Sequence, residues 1–128
     1  MTPKFKTWIK DYQIMKNVEF LAFNEKGVAE IFTNPEDGEP EDFRHTHSPE
    51  QAILMQSTGL KDCNDREIYE GDVVLCEWGE IGDNIYRNTG KTVVDFSPHN
   101  LVMLEEADRL QILGNIYENP ELLEEVSK

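Results

Sequence analysis

Apolar and polar side chains alternate through the first third of the chain, and this alternation predicts β-strands. Residues 4–9 fit a short strand, and residues 14–23 and 28–33 carry apolar, β-favouring side chains on either side of a turn. The turn at residues 24–27 ends in Gly27, which supplies the positive φ that tight turns require. A helix over residues 14–23 is the alternative, because part of this segment also fits helical spacing. The turn and the return strand favour a hairpin.

The second half of the chain contains short apolar runs that are separated by turn residues. The runs predict strands at residues 52–56, 73–78, 91–96, 101–104 and 110–116. The run at 73–78 begins apolar on both faces, which is typical of a central strand or a barrel wall. Turns are expected at Thr58–Leu60, Glu70–Asp72 and Ser97–Asn100. The last turn would join two strands into a second hairpin.

The C-terminus carries a helix start at Asn119-Pro120-Glu121, with Asn as N-cap, Pro in the first turn and Glu near the positive helix end. Leu122, Leu123 and Val126 would face inward on this short helix. The remaining short strands predict a mainly all-β fold, namely a small SH3-like barrel or β-roll. We expect a single unit overall, made of an N-terminal β-hairpin region (1–33), an acidic Pro-rich loop (34–50) and an SH3-like β-barrel with a C-terminal helix (51–128).

The segment at 34–50, here called the acidic loop, differs in composition from its neighbours. It contains Pro35, Pro40 and Pro49 together with six acidic residues. Prolines lack a backbone donor and like charges repel, so the composition predicts a mobile loop or linker. Phe43 is the residue expected to attach it to the body of the protein.

The net charge of −14 is unevenly distributed along the chain. Residues 1–50 carry 6 basic and 10 acidic groups, a net charge of −4, and residues 51–128 carry 6 and 16, a net charge of −10. Such a field repels nucleic acid and anionic membranes, and solubility is its simplest role. A more specific interpretation is an acidic surface that imitates DNA or docks on a basic partner. The apolar fraction of 38% predicts a thin core.

The two cysteines, Cys63 and Cys76, are too few for a secreted disulfide scaffold of this size. They are expected to be free thiols in a reducing cytoplasm, with a disulfide between them as the alternative. The basic N-terminus has no apolar run behind it, and no stretch is long enough to span a membrane, so neither a signal peptide nor a membrane segment is expected.

Two groups of residues suggest chemistry. His45 and His47 would point to the same side of an extended segment and could begin a metal site, but solvated loop histidines are the simpler interpretation. An acidic cluster comprises Asp62, Asp65, Glu67, Glu70 and Asp72. Its spacing does not fit the twelve-residue calcium loop, and carboxylates that accept local backbone N–H bonds explain it better. The sequence contains no phosphate loop or nucleophile elbow, so we expect neither an enzyme nor a cofactor.

Two long motifs resemble those of the YopX family of small phage and prophage proteins. The first is Leu54-Met55-Gln56-Ser57-Thr58-Gly59-Leu60-Lys61-Asp62 followed by Glu67-Ile68-Tyr69-Glu70-Gly71-Asp72-Val73-Val74, and the second is Leu113-Gly114-Asn115-Ile116-Tyr117-Glu118-Asn119-Pro120-Glu121-Leu122-Leu123. The opening Lys4-Phe5-Lys6-Thr7-Trp8 also resembles the family. The polar tip between the two halves of the first motif, Cys63-Asn64-Asp65-Arg66, departs from the family pattern, because Asp65 stands where a glycine is common. This turn is therefore expected to accept a side chain at a left-handed position or to adopt another type.

The resemblance implies a β-rich phage or prophage protein with an SH3-like element, and it implies no activity. We therefore expect a non-enzymatic binding or assembly module with a protein partner, and self-association into a homo-oligomer. Tyr69, Trp78 and Tyr86 are candidate aromatic residues of a binding groove. An acidic, DNA-mimicking inhibitor of a host DNA-binding protein is the alternative, and an enzyme that uses the acidic cluster ranks third.

Overall fold

The computed structural model describes residues 4–79 and 87–125, without the side chains of Arg87, Asn88 and Glu125. The chain divides into two compact units, unit 1 (Met1–Gln56) and unit 2 (Ser57–Lys128). The described residues are mostly β-strand, as the sequence predicts.

Unit 1 is an antiparallel sheet built around the predicted N-terminal hairpin. Its strands are β1 (Phe5–Ile9), β2 (Ile14–Asn24), β3 (Gly27–Thr33), β4 (Thr46–His47) and the first half of β5 (Ala52–Lys61), in the order β4-β3-β2-β1-β5. Gly27 has a φ of 120° and pairs with Asn24, so the predicted turn is confirmed and the helical alternative over residues 14–23 is wrong.

One face of this sheet carries the core of unit 1. Ile9, Ile31 and Ala52 are buried there because alternate residues of each strand point to the same side. Phe43 of the acidic loop packs on them and is itself buried, as the sequence predicts. The acidic loop therefore covers the apolar face of the sheet.

Unit 2 contains a three-stranded antiparallel sheet with β7 (Asp72–Gly79) at its centre, between β8 (Arg87–Val93) and β9 (Arg109–Asn115). The prediction of a central strand here is confirmed, and Val73, Val74 and Cys76 are fully buried. The second half of β5 pairs with β6 (Glu67–Tyr69). Gly71 has a φ of 87° at the turn between β6 and β7.

The turn expected at Thr58–Leu60 is instead part of β5. Gly59 does have a positive φ of 82°, but the chain continues as a strand, with a shift in register between Ser57 and Lys61. The glycine therefore marks a bulge, which bends a strand without reversing it.

The strand expected at 101–104 is a helix, α1 (Pro98–Glu106). Ser97 is its N-cap and accepts a hydrogen bond from the Asn100 N–H, and Pro98 occupies its first turn. The prediction of a second hairpin is therefore wrong. Ser-Pro suits a turn and a helix start equally well, and the local sequence does not distinguish them.

The SH3-like barrel is not confirmed. Within residues 4–79 and 87–125, the strands form antiparallel sheets that do not close, and β8 and β9 are edge strands of the sheet in unit 2. A five-stranded barrel would need the strand predicted at residues 101–104, and the chain forms the helix α1 there instead.

The chain ends, as far as it is described, in a short 3-10 helix at Pro120–Glu125, where the sequence predicts a helix. Leu123 is exposed on it, which contradicts the predicted inward orientation, and Val126 lies outside the described residues. Cys63 is an exposed free thiol and Cys76 a buried one, so the alternative of a disulfide is wrong. No helix among the described residues is long and apolar enough to cross a membrane.

Candidate functional site

A cleft of about 300 Å³ opens in unit 1, between the turn that follows β1 and the end of the acidic loop. It is lined by Ile9, Asp11, Tyr12, Asp42, Arg44, Thr46, His47 and Gln51. The cleft is at the small end of the range for ligand pockets, and its lining combines polar groups with apolar surface, as ligand pockets do.

Tyr12 forms the link between the two walls of the cleft. Its ring packs edge-on against Phe43 with a centroid separation of 5.1 Å, and its hydroxyl donates to the Asp42 carbonyl at 3.5 Å. Partial burial and the neighbouring Asp42 raise the pKa of the Tyr12 hydroxyl. The residue before β2, Gln13, has a φ of 53°, so the turn that presents Tyr12 includes a left-handed position.

His47 lines the cleft from below. It is 5% exposed, its ring packs on Phe43 at 5.4 Å, and its Nε2 has no hydrogen-bond partner among the described residues. Burial lowers the pKa of His47 more than a hydrogen bond to the Arg44 backbone raises it, so the ring is mainly neutral at pH 7. A buried ring nitrogen without a partner is costly, and it can accept or donate one further hydrogen bond.

A polar network lies beside the cleft under the acidic loop. The Lys16 ammonium is buried and contacts carboxylate oxygens of Glu39 at 2.7 Å and Glu36 at 3.2 Å, and it donates to the Asn34 carbonyl at 2.9 Å. His45 Nε2 lies 3.1 Å from Glu39. The hydrogen bond from Lys16 lowers the pKa of Glu39 to about 2. These contacts attach the acidic loop to β2 and so fix one wall of the cleft.

The two histidines therefore have different environments. His45 pairs with Glu39, whereas His47 is in the core beneath the cleft. Among the described residues, no group of three or more His, Cys, Asp or Glu side chains could hold a metal ion.

The candidate groove aromatics lie elsewhere. Tyr69 is in β6 and only 8% exposed, and its N–H donates to the Asp72 carboxylate at 2.8 Å. Trp78 is half-buried in β7 and packs on the core of unit 2. Tyr86 is outside the described residues. Tyr69 offers little surface to a partner.

Asp62 explains much of the acidic cluster. Its buried carboxylate accepts from the backbone N–H groups of Asn64, Arg66 and Ile112 at 3.0, 2.9 and 3.1 Å, and from the Arg66 guanidinium at 3.2 Å. Burial raises the pKa of Asp62, but the hydrogen bonds outweigh it and the net shift is downward. Asp62 and Asp72 thus satisfy local backbone donors, as the sequence predicts.

Sequence reasoning did not find the cleft. Tyr12 and Asp42 are thirty residues apart, and the expected attachment of Phe43 did not indicate that they are close. Arg44 and Gln51 gave no signal of their own in a segment dominated by prolines and acids.

The fold is that of a mainly antiparallel β-protein with two units, and the comparisons with known proteins identify its class. The sequence model of the YopX protein family matches residues 4–124, so this chain belongs to the YopX family. The solved structures include a similar one, protein EF1440 from Enterococcus faecalis, with 26% identity, a TM-score of 0.61 and coverage of 96% of this chain and 99% of that one. No curated protein matches the chain.

Proposed function

We propose that this chain is a non-enzymatic binding module, and that the cleft of unit 1 receives a cationic side chain from a basic partner protein. The observation that carries the proposal is the lining of the cleft. Asp11 and Asp42 provide two carboxylates, against the single cation of Arg44, and Tyr12 provides an aromatic ring. Carboxylates and an aromatic ring together favour an ammonium or guanidinium group.

The charge of the chain supports the same class of partner. Residues 51–56 are uncharged, so units 1 and 2 carry the net charges of −4 and −10 given above. A field of this sign attracts basic proteins from a distance and accelerates their association. The volume of the cleft, about 300 Å³, suits one side-chain head group with its stem.

The test is an NMR titration of the full chain with acetyl-Gly-Arg-Gly-amide and with the same peptide in which citrulline replaces arginine. We expect the arginine peptide to shift the amide signals of Tyr12, Arg44 and Thr46, with a dissociation constant on the order of 1 mM. The neutral citrulline peptide should leave them in place. Equal shifts with both peptides, or shifts confined to other residues, would contradict the proposal.

Asp42→Asn is the informative variant, because it removes a charge but keeps the backbone carbonyl that Tyr12 contacts. It should weaken binding about fivefold, equivalent to ~1 kcal/mol. Glu41→Gln is the matched control, since Glu41 is an exposed neighbouring carboxylate that does not line the cleft. Equal weakening by both variants would indicate general electrostatics in place of a site.

The charge of unit 2 favours a second candidate, the acidic inhibitor that imitates DNA. With a net charge of −10 in unit 2, a basic DNA-binding protein would be its target. In that case duplex DNA should displace the chain from its partner. A ternary complex of chain, partner and DNA would contradict this candidate. Self-association, a phage origin and a cytoplasmic location remain predictions, and sedimentation analysis tests the first.

A further inference from the structure

The hairpin of β2 and β3 presents an aromatic surface that the cleft does not use. Phe20 and Phe32 pair in register and their rings stack at 4.2 Å with an interplanar angle of 17°. Phe20 is 53% exposed. We call Phe20 and Phe32 the hairpin patch. Exposed aromatic pairs of this kind mark interaction surfaces.

The same hairpin has an open strand edge. β4 contains only Thr46 and His47, which pair with Phe32 and Ile31. Among the described strands, Gly27–Glu30 of β3 therefore pairs with β2 alone. Unpaired N–H and C=O groups along such an edge can accept a further strand from another chain.

Charge and area decide between occupants of the hairpin patch. Residues 19–32 carry Glu19, Glu25 and Glu30 against Lys26, a net charge of −2. A second copy would bring its own net charge of −14 against this surface. Phe20, which is 53% exposed, presents only on the order of 100 Å², whereas a stable interface buries about 800 Å² on each partner. A short segment of opposite charge fits both facts better.

We propose that the hairpin patch is the docking site of an extended, basic segment of a partner protein, which adds as a strand to the open edge of β3. Backbone hydrogen bonds to Gly27–Glu30 give the segment its register. On the face that carries Phe32 and Glu30, an apolar side chain of the segment packs diagonally against Phe32, whose ring stacks on Phe20. A cation of the segment faces Glu30, which is exposed two residues before Phe32. The proposal does not depend on the cleft.

The probe is acetyl-Val-Val-Lys-Lys-Val-Val-amide, titrated into the full chain by NMR. This order places both valine and lysine on each face of an extended strand. We expect amide shifts within Gly27–Glu30. Phe20→Ser and Glu30→Lys should each weaken binding, the former at least about tenfold. N-methylation of alternate peptide residues should abolish binding, because it removes backbone donors but keeps every side chain and charge. A glutamate–valine peptide should not bind.

Two controls separate the site from general effects. Val102→Ser removes an apolar side chain that is 50% exposed in unit 2, and Glu41→Gln removes an exposed charge that lines neither the cleft nor the hairpin, so both should bind the probe as the native chain does. Binding that survives N-methylation, or that Phe20→Ser and Glu30→Lys both leave unchanged, would overturn the proposal. Sedimentation that shows a dimer abolished by Phe20→Ser would also overturn it, because a second copy would then be the occupant. If Phe20→Ser lowers the melting temperature of the chain, the affinity of the Glu30→Lys variant for the probe is the deciding measurement.

Discussion

Asp62 offers the sharpest test of the physical reasoning, because one carboxylate serves four donors. Oδ1 accepts from the N–H groups of Asn64 and Arg66, and Oδ2 accepts from the Ile112 N–H and the Arg66 guanidinium. The Ile112 bond joins the 62–66 tip to β9, fifty residues away. Substitution of Asp62 therefore tests a long-range contact as well as a turn.

The expected loss of stability follows from the count of bonds. Asp62→Ala removes four hydrogen bonds, and at about 1 kcal/mol each it should lower the free energy of unfolding by about 3–5 kcal/mol. Asp62→Asn should cost about 1.5–3 kcal/mol. Each carboxylate oxygen accepts from two donors. In either orientation, an asparagine at this position would therefore place its NH₂ group, itself a donor, against two N–H groups. Either loss is large beside a typical domain stability of about 5–15 kcal/mol.

The assay is urea unfolding of unit 2, followed by Trp78 fluorescence in a Trp8→Phe background. Asp65→Asn is the matched control, since this carboxylate of the same tip is exposed and asparagine tolerates its φ of 63°. It should change the free energy of unfolding by less than about 0.5 kcal/mol. A result in which Asp62→Asn is as mild as the control would refute the reasoning.

The pH dependence supplies a second readout of Asp62. Its pKa in the folded protein is below the ordinary 3.8, so its ionised form contributes stability above that pH. The contribution is lost as the pH falls through the folded-state pKa. The difference between the native chain and Asp62→Asn should therefore narrow in acid, and a constant difference would contradict the assignment.

Three further substitutions test other parts of the structure. Gly114→Ala should destabilise the chain by about 1–3 kcal/mol in thermal unfolding, because a Cβ there would collide with the Asn119 side chain. Ser97→Ala should lower the free energy of unfolding by about 1 kcal/mol, because α1 loses its N-cap, whereas Ser97→Asp should keep both the N-cap and the native stability. Glu39→Gln should destabilise the chain at neutral pH, because Lys16 loses its closest carboxylate. The difference in melting temperature between the native chain and this variant should narrow as the pH falls from about 4.5 towards the Glu39 pKa of about 2.

The hairpin in unit 1 could be predicted because its determinants are local. Alternating side chains define β2 and β3, and Gly27 provides the one conformation that their connection needs. The central strand β7 could be predicted for a similar reason, since apolar residues on both faces fit a strand with neighbours on both sides.

The helix α1 was not predicted because its sequence suits two structures. Burial resolves the choice, since Leu104 is buried and Val102 is exposed, while Leu101 and Leu104 stand one helical turn apart. In a strand, Val102 and Leu104 would share a face and similar burial. That information depends on the packing of unit 2, which the local pattern does not contain.

The cleft could not be predicted because no local pattern defines it. Its walls come from the turn after β1 and from the acidic loop, and the contact between Tyr12 and Phe43 brings them together. The prolines and charges of the acidic loop predicted a mobile segment. Its attachment depends on buried Lys16, whose position in a strand gave no indication that carboxylates from Glu36 and Glu39 would surround it.

The tip at 62–66 shows how the family pattern and the individual sequence fit together. Asp65 adopts the left-handed φ of 63° at a position where glycine would carry no strain, which confirms that this turn accepts a side chain there. Asp tolerates this conformation better than most residues, but at some cost. Asp62 offsets it, because its carboxylate holds the N–H groups of Asn64 and Arg66 on either side of Asp65. The stability of the tip therefore depends on the buried carboxylate of Asp62, whereas the exposed carboxylate of Asp65 contributes little to it.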